Sequence, residues 1–399
     1  MITRRMFASN GSMALGGLVA GGCLSPFDGE RPPDWTEGRF QAHFIYTGGG
    51  ESVFFVYPDG TSLLIDCGDV EPDAPTAWTF PQLPRGIGHP AARVADYVRR
   101  VNPNGRKVDS LLLTHYHADH GGHALKSTPA SADGSYRKCG LGEAVDLLDF
   151  GKAVDRSYPD FDDPVAVDME WDDFMAANCR GVYRELERRG KRVEKFSLRP
   201  DSDQLNPLHG GSGGFAVRPV AANGRILMPD GTVRGLYADF AKRTHPKPLN
   251  ENAMSIALLF RYGRFSLYTG GDLEAVYKDE TGTRVSLEEE LAKALEPVSV
   301  AKLNHHGIDC PRALAETLRP QVWVCTQWSH CHLTDAVMQT ISDPRIPPAN
   351  RLVLPQYRKP EAPVPRHIVV DVAPGGASYD VCTVAAATGQ VLDKVHFNL

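Results

Sequence analysis

The chain has 399 residues, with 43 Lys and Arg against 49 Asp and Glu, for a formal net charge of −6. Hydrophobic residues make up 42% and charged residues 23%, a globular composition that excludes a mainly disordered chain. The acidic balance gives no strong nucleic-acid-binding signal, and no apolar run reaches the ~18–20 residues that span a bilayer.

Residues 1–22 carry Arg4 and Arg5, then Phe7 and a Gly/Ala-rich, mildly apolar stretch. A basic start followed by a short apolar region resembles a twin-arginine export signal. It predicts a protein exported to the periplasm or the outer face of the cell membrane. Ala20 and Gly22 place small residues before Cys23, a candidate lipid-carrying cysteine, although Ala20 stands where such sites usually have Leu. A lipid there is the one expected membrane contact. Residues 23–38 hold Pro26, Gly29, Pro32 and Pro33 and read as a tether to a domain over 39–399. None of the eight cysteines forms a C-x-x-C pair, which excludes a thiolate zinc ribbon, and disulfides cannot be assigned.

Residues 40–46 and 53–57 read as strands, and the Asp59-Gly60 turn returns the chain as a strand over 62–65 ending at Asp66. Val94, Tyr97, Val98 and Val101 recur at helical spacing over 91–101, and 108–113 is a buried strand. Met175, Cys179, Val182, Tyr183 and Leu186 form one face of a helix over 171–189. Further strands are predicted at 215–220, 253–260, 264–269, 298–303, 322–326 and 367–372, with a helix at 287–295. The order predicts two sheets packed face to face between helices.

Directly after the 108–113 strand come His115, His117, Asp119 and His120, followed by Gly121 and Gly122. Alternate residues leaving a strand share a face, so His115 and His117 can point together. Imidazole and carboxylate suit Zn²⁺ first, with Mn²⁺ or Fe²⁺ also compatible. The pattern points to one or two divalent metal ions. Gly210 to Gly214 matches the G-x-S-x-G elbow, but a strand rather than a helix follows it, which argues against a serine hydrolase.

The H-x-H-x-D-H pattern resembles the metallo-β-lactamase-fold hydrolases. Within them the chain looks most like the hydrolase domain of the ComEC/Rec2 type and its free-standing relatives, over about residues 40–345. The resemblance implies an α/β fold, a four-layer αββα sandwich, here with a long insertion after the H-x-H-x-D-H loop. It implies metal ligation by His115, His117, Asp119, His120, Asp272 and His305. Asp66, in Leu-Ile-Asp-Cys-Gly, and Asn252, in a segment like N-E-x-S, are implied to support that shell. Asp119, His306 and His332 are implied to act on water or the leaving group. His305 is the preferred ligand of its pair because it comes sooner after the strand. The family's middle histidine has no clear counterpart, and His209 is the nearest candidate.

The implied activity is exported, metal-dependent hydrolysis through a metal-activated water, on a phosphodiester or other phosphoester. A lactone, β-lactam or thioester substrate is the alternative, and a metal-binding protein without turnover is the contrasting class. Residues 160–173 carry seven carboxylates and no Lys or Arg; near a site they would repel phosphodiesters. Oligomeric state is not readable.

Overall fold

The computed structural model describes residues 30–70, 79–164, 166–167, 174–211, 213–235, 251–274, 277–278 and 284–399. The export signal, Cys23, part of the tether and much of the acidic run lie outside them. In chain order the elements are β1 (Phe40–Phe44), β2 (Val53–Val56), β3 (Ser62–Ile65), α1 (Pro90–Val101), β4 (Lys107–Leu113) and α2 (Ala118–Gly121). Then follow α3 (Leu141–Leu147), β5 (Asp149–Asp155), α4 (Phe174–Arg188), β6 (Arg192–Lys195), β7 (Phe215–Ala222), β8 (Arg225–Leu227) and β9 (Val233–Gly235). The second half holds β10 (Ala257–Tyr262), β11 (Phe265–Thr269), β12 (Tyr277–Lys278), β13 (Arg284–Val285), α5 (Leu287–Ala292), β14 (Val300–Lys302) and α6 (Arg312–Leu318). It closes with β15 (Val322–Cys325), α7 (Asp335–Ile341), β16 (Leu352–Pro355), β17 (Arg366–Val372), β18 (Ser378–Ala385) and β19 (Val391–Asn398).

Two large sheets organise these strands: nine in the order β19-β18-β17-β1-β2-β3-β4-β5-β6, and eight in the order β16-β15-β14-β11-β10-β7-β8-β9. Strand alternation explains their packing. Leu63, Ile65 and Leu112 face inward, against the other sheet, while Leu64, Leu111 and Leu113 face the helices. Phenylalanines fill the space between the sheets; Phe55 of β2 stacks on Phe260 of β10 with ring centroids 4.5 Å apart. Helices α1, α3 and α4 cover the nine-stranded sheet, and α5, α6 and α7 cover the other. The architecture is mixed α/β, two sheets between helical layers, as a metallo-β-lactamase-type sandwich requires.

The segment expected as an insertion extends the sheet. Through α3, β5, α4 and β6 it adds two parallel strands beyond β4. Strand β5 is hard to read because Asp149, Gly151, Lys152 and Asp155 break its apolar pattern. The predicted helix face on α4 is buried at Met175, Cys179, Val182, Tyr183 and Leu186. At the C-terminus one predicted strand is three, since β18 and β19 pair antiparallel onto β17. Within the acidic run Asp163 is paired with Lys195 at 3.0 Å and with Arg225 at 2.7 Å. Among the described residues no helix is long and apolar enough to cross a membrane, and seven cysteines are free thiols.

Beside β17, His43 and His367 are fully buried, and burial pushes each pKa down to about 3. His43 Nδ1 lies 3.1 Å from the Tyr97 hydroxyl and Nε2 3.3 Å from Gln41 Oε1, and burial is what favours the neutral ring. A depressed folded pKa contributes stability above the unfolded value of about 6.5 and loses it as pH falls towards the folded value. Between pH 7 and 4.5 the stability advantage of wild type over His43→Gln is therefore expected to shrink by about 2–3 kcal/mol. Urea unfolding of metal-free protein measures it; a gap independent of pH would contradict the assignment.

Candidate metal centre

Parallel pairing brings strand ends to one edge. β3 runs parallel to β4, and β11, β14 and β15 run parallel to one another. Their C-terminal ends lead into Asp66, the His115–His120 loop, Asp272, His306 and Trp328. The loops interlock through the main chain. Glu51 N donates to Asp119 O at 2.7 Å, Gly68 N to Glu51 O at 2.9 Å, and Cys67 N to His120 O at 2.8 Å. A Cβ on Gly68 would fall 1.7 Å from Asp119 O, so only glycine permits this approach.

Each ring is anchored through its outer atoms. Asp66 accepts from Thr114 N and Thr114 Oγ1, both at 2.8 Å, and lies 2.7 Å from His120 Nδ1. A proton on Nδ1 leaves Nε2 as the lone-pair atom. His115 Nδ1 lies 3.0 Å from Thr114 Oγ1, and the His115 ring lies 4.8 Å from His117 and 4.2 Å from His120. His306 Nδ1 faces Thr326 O at 2.8 Å, turning Nε2 to Asp119 Oδ2 at 3.0 Å and Asp272 Oδ2 at 3.1 Å. Asp272 N is held by Ser255 Oγ at 3.1 Å.

The pair His305–His306 differs from the sequence expectation. Both residues adopt positive φ, 45° and 54°. The left-handed turn swings the second ring, not the first, into the carboxylates. His305 Nε2 instead lies 3.2 Å from Asn252 Nδ2, which is where Asn252 is found. Two successive non-glycine residues in this region cost about 1–3 kcal/mol each, a strain characteristic of functional sites. His332 lies beside this pair: it stacks on His306 with centroids 4.5 Å apart, and burial, with His306 adding to it, pushes its pKa down to about 2. His209 is exposed and lies 3.6 Å from Asp109, near the start of β4, whereas the histidine loop follows the end of that strand. At ~3.3 Å per residue the six-residue separation puts it about 20 Å away, too far to ligate.

Glu51 is a site residue absent from the ligand pattern read in the sequence. Its Oε2 lies 3.3 Å from His306 Nδ1 and 3.0 Å from Lys302 Nζ, and accepts from Thr326 Oγ1 at 2.5 Å. Burial raises its pKa, but Lys302 and His306 outweigh this and hold it below the usual carboxylate range. Asp119 and Asp272 are likewise depressed because His120 and His306 outweigh burial. In return, those carboxylates outweigh burial at His120 and His306 and raise both. At His115 burial dominates, with His120 and His117 adding to it, and the pKa falls.

The residues fit a divalent cation. Glu51, His120, Asp272 and His306 place ligand-type atoms within 4.8 Å of one another. His115 Nε2, His120 Nε2 and Asp272 Oδ1 are buried without a hydrogen-bond partner. His120 Nε2 is 3.1 Å from Asp272 Oδ2, close enough for charge attraction but not aligned for a hydrogen bond. Such atoms cost about 1–3 kcal/mol each unless something satisfies them, and divalent cations between them would do so.

Residues 46–137 match the family model of the metallo-beta-lactamase superfamily. None of the curated proteins matches. Among solved structures, one of a protein of unknown function from Enterococcus faecalis V583 aligns over 68% of this chain and 51% of its own at 13% identity, with a TM-score of 0.28. The chain thus spans about half the length of that protein. Tm1679, described as a metal-dependent hydrolase of the beta-lactamase superfamily, aligns over 80% of this chain and 96% of its own at 11% identity, with a TM-score of 0.35.

Proposed function

We propose that the chain is a metal-dependent hydrolase whose substrate is a phosphodiester or other phosphoester. The observation that carries the hydrolase reading is the convergence of buried, unpartnered His115 Nε2, His120 Nε2 and Asp272 Oδ1 at the edge where both sheets end. His115, His117 and Asp272 would hold a cation on one side; Asp119, His120, His306 and Asp272 would hold one on the other. A bound divalent cation lowers the pKa of water and polarises the oxygen of the scissile group. The protein's own part is to hold the imidazoles by Asp66, Thr114 and Thr326 and to keep Asp119 ionised towards the reacting face.

The phosphoester choice rests on the motif resemblance and on charge. A cavity of about 410 Å³ reaches His332 and is lined by Phe80, Tyr357, Lys359 and the ion pair of Arg358 with Asp335. Lys359 is the cation there without an acidic partner on its wall, and it suits an anionic ester. The proposal includes export, supported by Arg4, Arg5 and the small-residue stretch that follows, and cell fractionation checks it.

Purified protein is expected to carry one or two equivalents of Zn²⁺, Mn²⁺ or Fe²⁺. It should cleave bis-p-nitrophenyl phosphate in preference to a lactone or nitrocefin. Chelation should abolish turnover and added metal restore it. Metal-free protein with unchanged activity would refute the hydrolase reading; preference for the lactone or nitrocefin would refute the substrate alone.

A further inference from the structure

Trp328 follows β15 and is absent from the ligand pattern, yet it points into the centre. Its indole Nε1–H donates to Asp119 Oδ2 at 2.9 Å and lies 3.3 Å from His306 Nε2. The ring meets His332 edge-on at 4.9 Å and 83°, and His332 in turn stacks on His306. The main chain at Trp328 is tethered at both ends. Its N–H faces His332 Nδ1 at 3.4 Å, and its carbonyl accepts from Phe80 N at 3.1 Å. Thr79 and Ser329 add a bridge alongside. The indole is therefore placed by its surroundings and does not drift to wherever a donor is wanted.

We infer that Trp328 is a positioning residue of the metal centre, its indole N–H holding Asp119 Oδ2, the oxygen that faces His306 Nε2 and His120 Nε2, in place beside a cation. The inference rests on the metal-dependent reading above. Asp119 Oδ2 has two partners, His306 Nε2 at 3.0 Å and Trp328 Nε1. With its Nδ1 turned to Thr326 O, neutral His306 presents a lone pair at Nε2, and a cation claims that lone pair. The indole is then the donor that remains to Asp119. A tryptophan N–H is donor only and cannot compete as a ligand. It also fixes the carboxylate rotor of a residue in a single-turn helix, where little else restrains χ2.

Trp328→Phe keeps the aromatic edge against His332 and removes only the donor. Calorimetric titration of metal-free protein with Zn²⁺ should show one binding event weakened ~10–100-fold, the range for losing a hydrogen bond to a ligand. Circular dichroism and the melting temperature of the metal-free form should be unchanged. Wild type should also change its tryptophan emission on Zn²⁺ addition, and the variant should lose that change. Equal affinity in the two proteins would overturn the role. Failure of wild type to bind Zn²⁺ would overturn the metal reading itself, a separate result. Should the variant not fold, ¹⁵N-tryptophan-labelled wild type decides. One of the five indole N–H signals must move on Zn²⁺ addition, and five static signals would overturn the inference.

Discussion

Asp272→Asn is expected to remove most of the bound metal and to lower hydrolysis by at least about 10³-fold, the loss of roughly 4 kcal/mol of transition-state stabilisation. Asp272 is the carboxylate placed between two of the histidines, with Oδ2 at 3.1 Å from His120 Nε2 and at 3.1 Å from His306 Nε2. Its Oδ1 is buried with no partner. Asparagine keeps the shape and still accepts a hydrogen bond, but offers no charge to a cation. The fold should survive, because the turn is set by the main chain. Asp272 N donates to Ser255 Oγ, and Gly271 sits at φ 54° where a Cβ would press within 3.0 Å of Thr114. Metal analysis and turnover of the variant check this beside its circular dichroism. Full metal content with full activity would remove Asp272 from the centre.

What was legible in the sequence is local. The histidine loop follows a hydrophobic strand, so its four ligand-type side chains sit within six residues, and no tertiary knowledge is needed to group them. Asp66 is legible because it caps a second short strand beside the first. The roles of His305 and His306 were not, because they depend on a left-handed turn that strand alternation cannot foresee. Glu51 and Trp328 reach the centre from 275 and 209 residues away from their contacts on Thr326 and Asp119, distances only the folded sheets close. Likewise β5 and β19 carry charges at positions that a buried-strand pattern forbids. Their place comes from pairing with a neighbour, not from their own periodicity.

Glu251→Ala is expected to destabilise the protein by about 3–5 kcal/mol, the cost of leaving a buried charge unpaired. Arg156 and Glu251 are 2% and 7% exposed, and their side chains meet in two parallel bonds of 2.7 Å. The guanidinium also lies over the Tyr116 ring, 4.3 Å from its centroid. Glu251 Oε1 further accepts from Tyr116 N at 2.9 Å, between His115 and His117. The carboxylate thus joins β5 to the loop that carries the histidines, and its loss takes the ion-pair partner from Arg156, which keeps only Asp163 O and Asn223 Oδ1, and orphans a buried amide. Urea unfolding should show the drop in midpoint, and amide exchange at Tyr116 should accelerate. Because the penalty comes from the stranded charge, Arg156→Met with Glu251→Leu should recover much of the stability while leaving exchange at Tyr116 fast. A double variant no more stable than Glu251→Ala would mean that the bond to the loop, rather than the ion pair, carries the effect. An unchanged midpoint in Glu251→Ala would refute both.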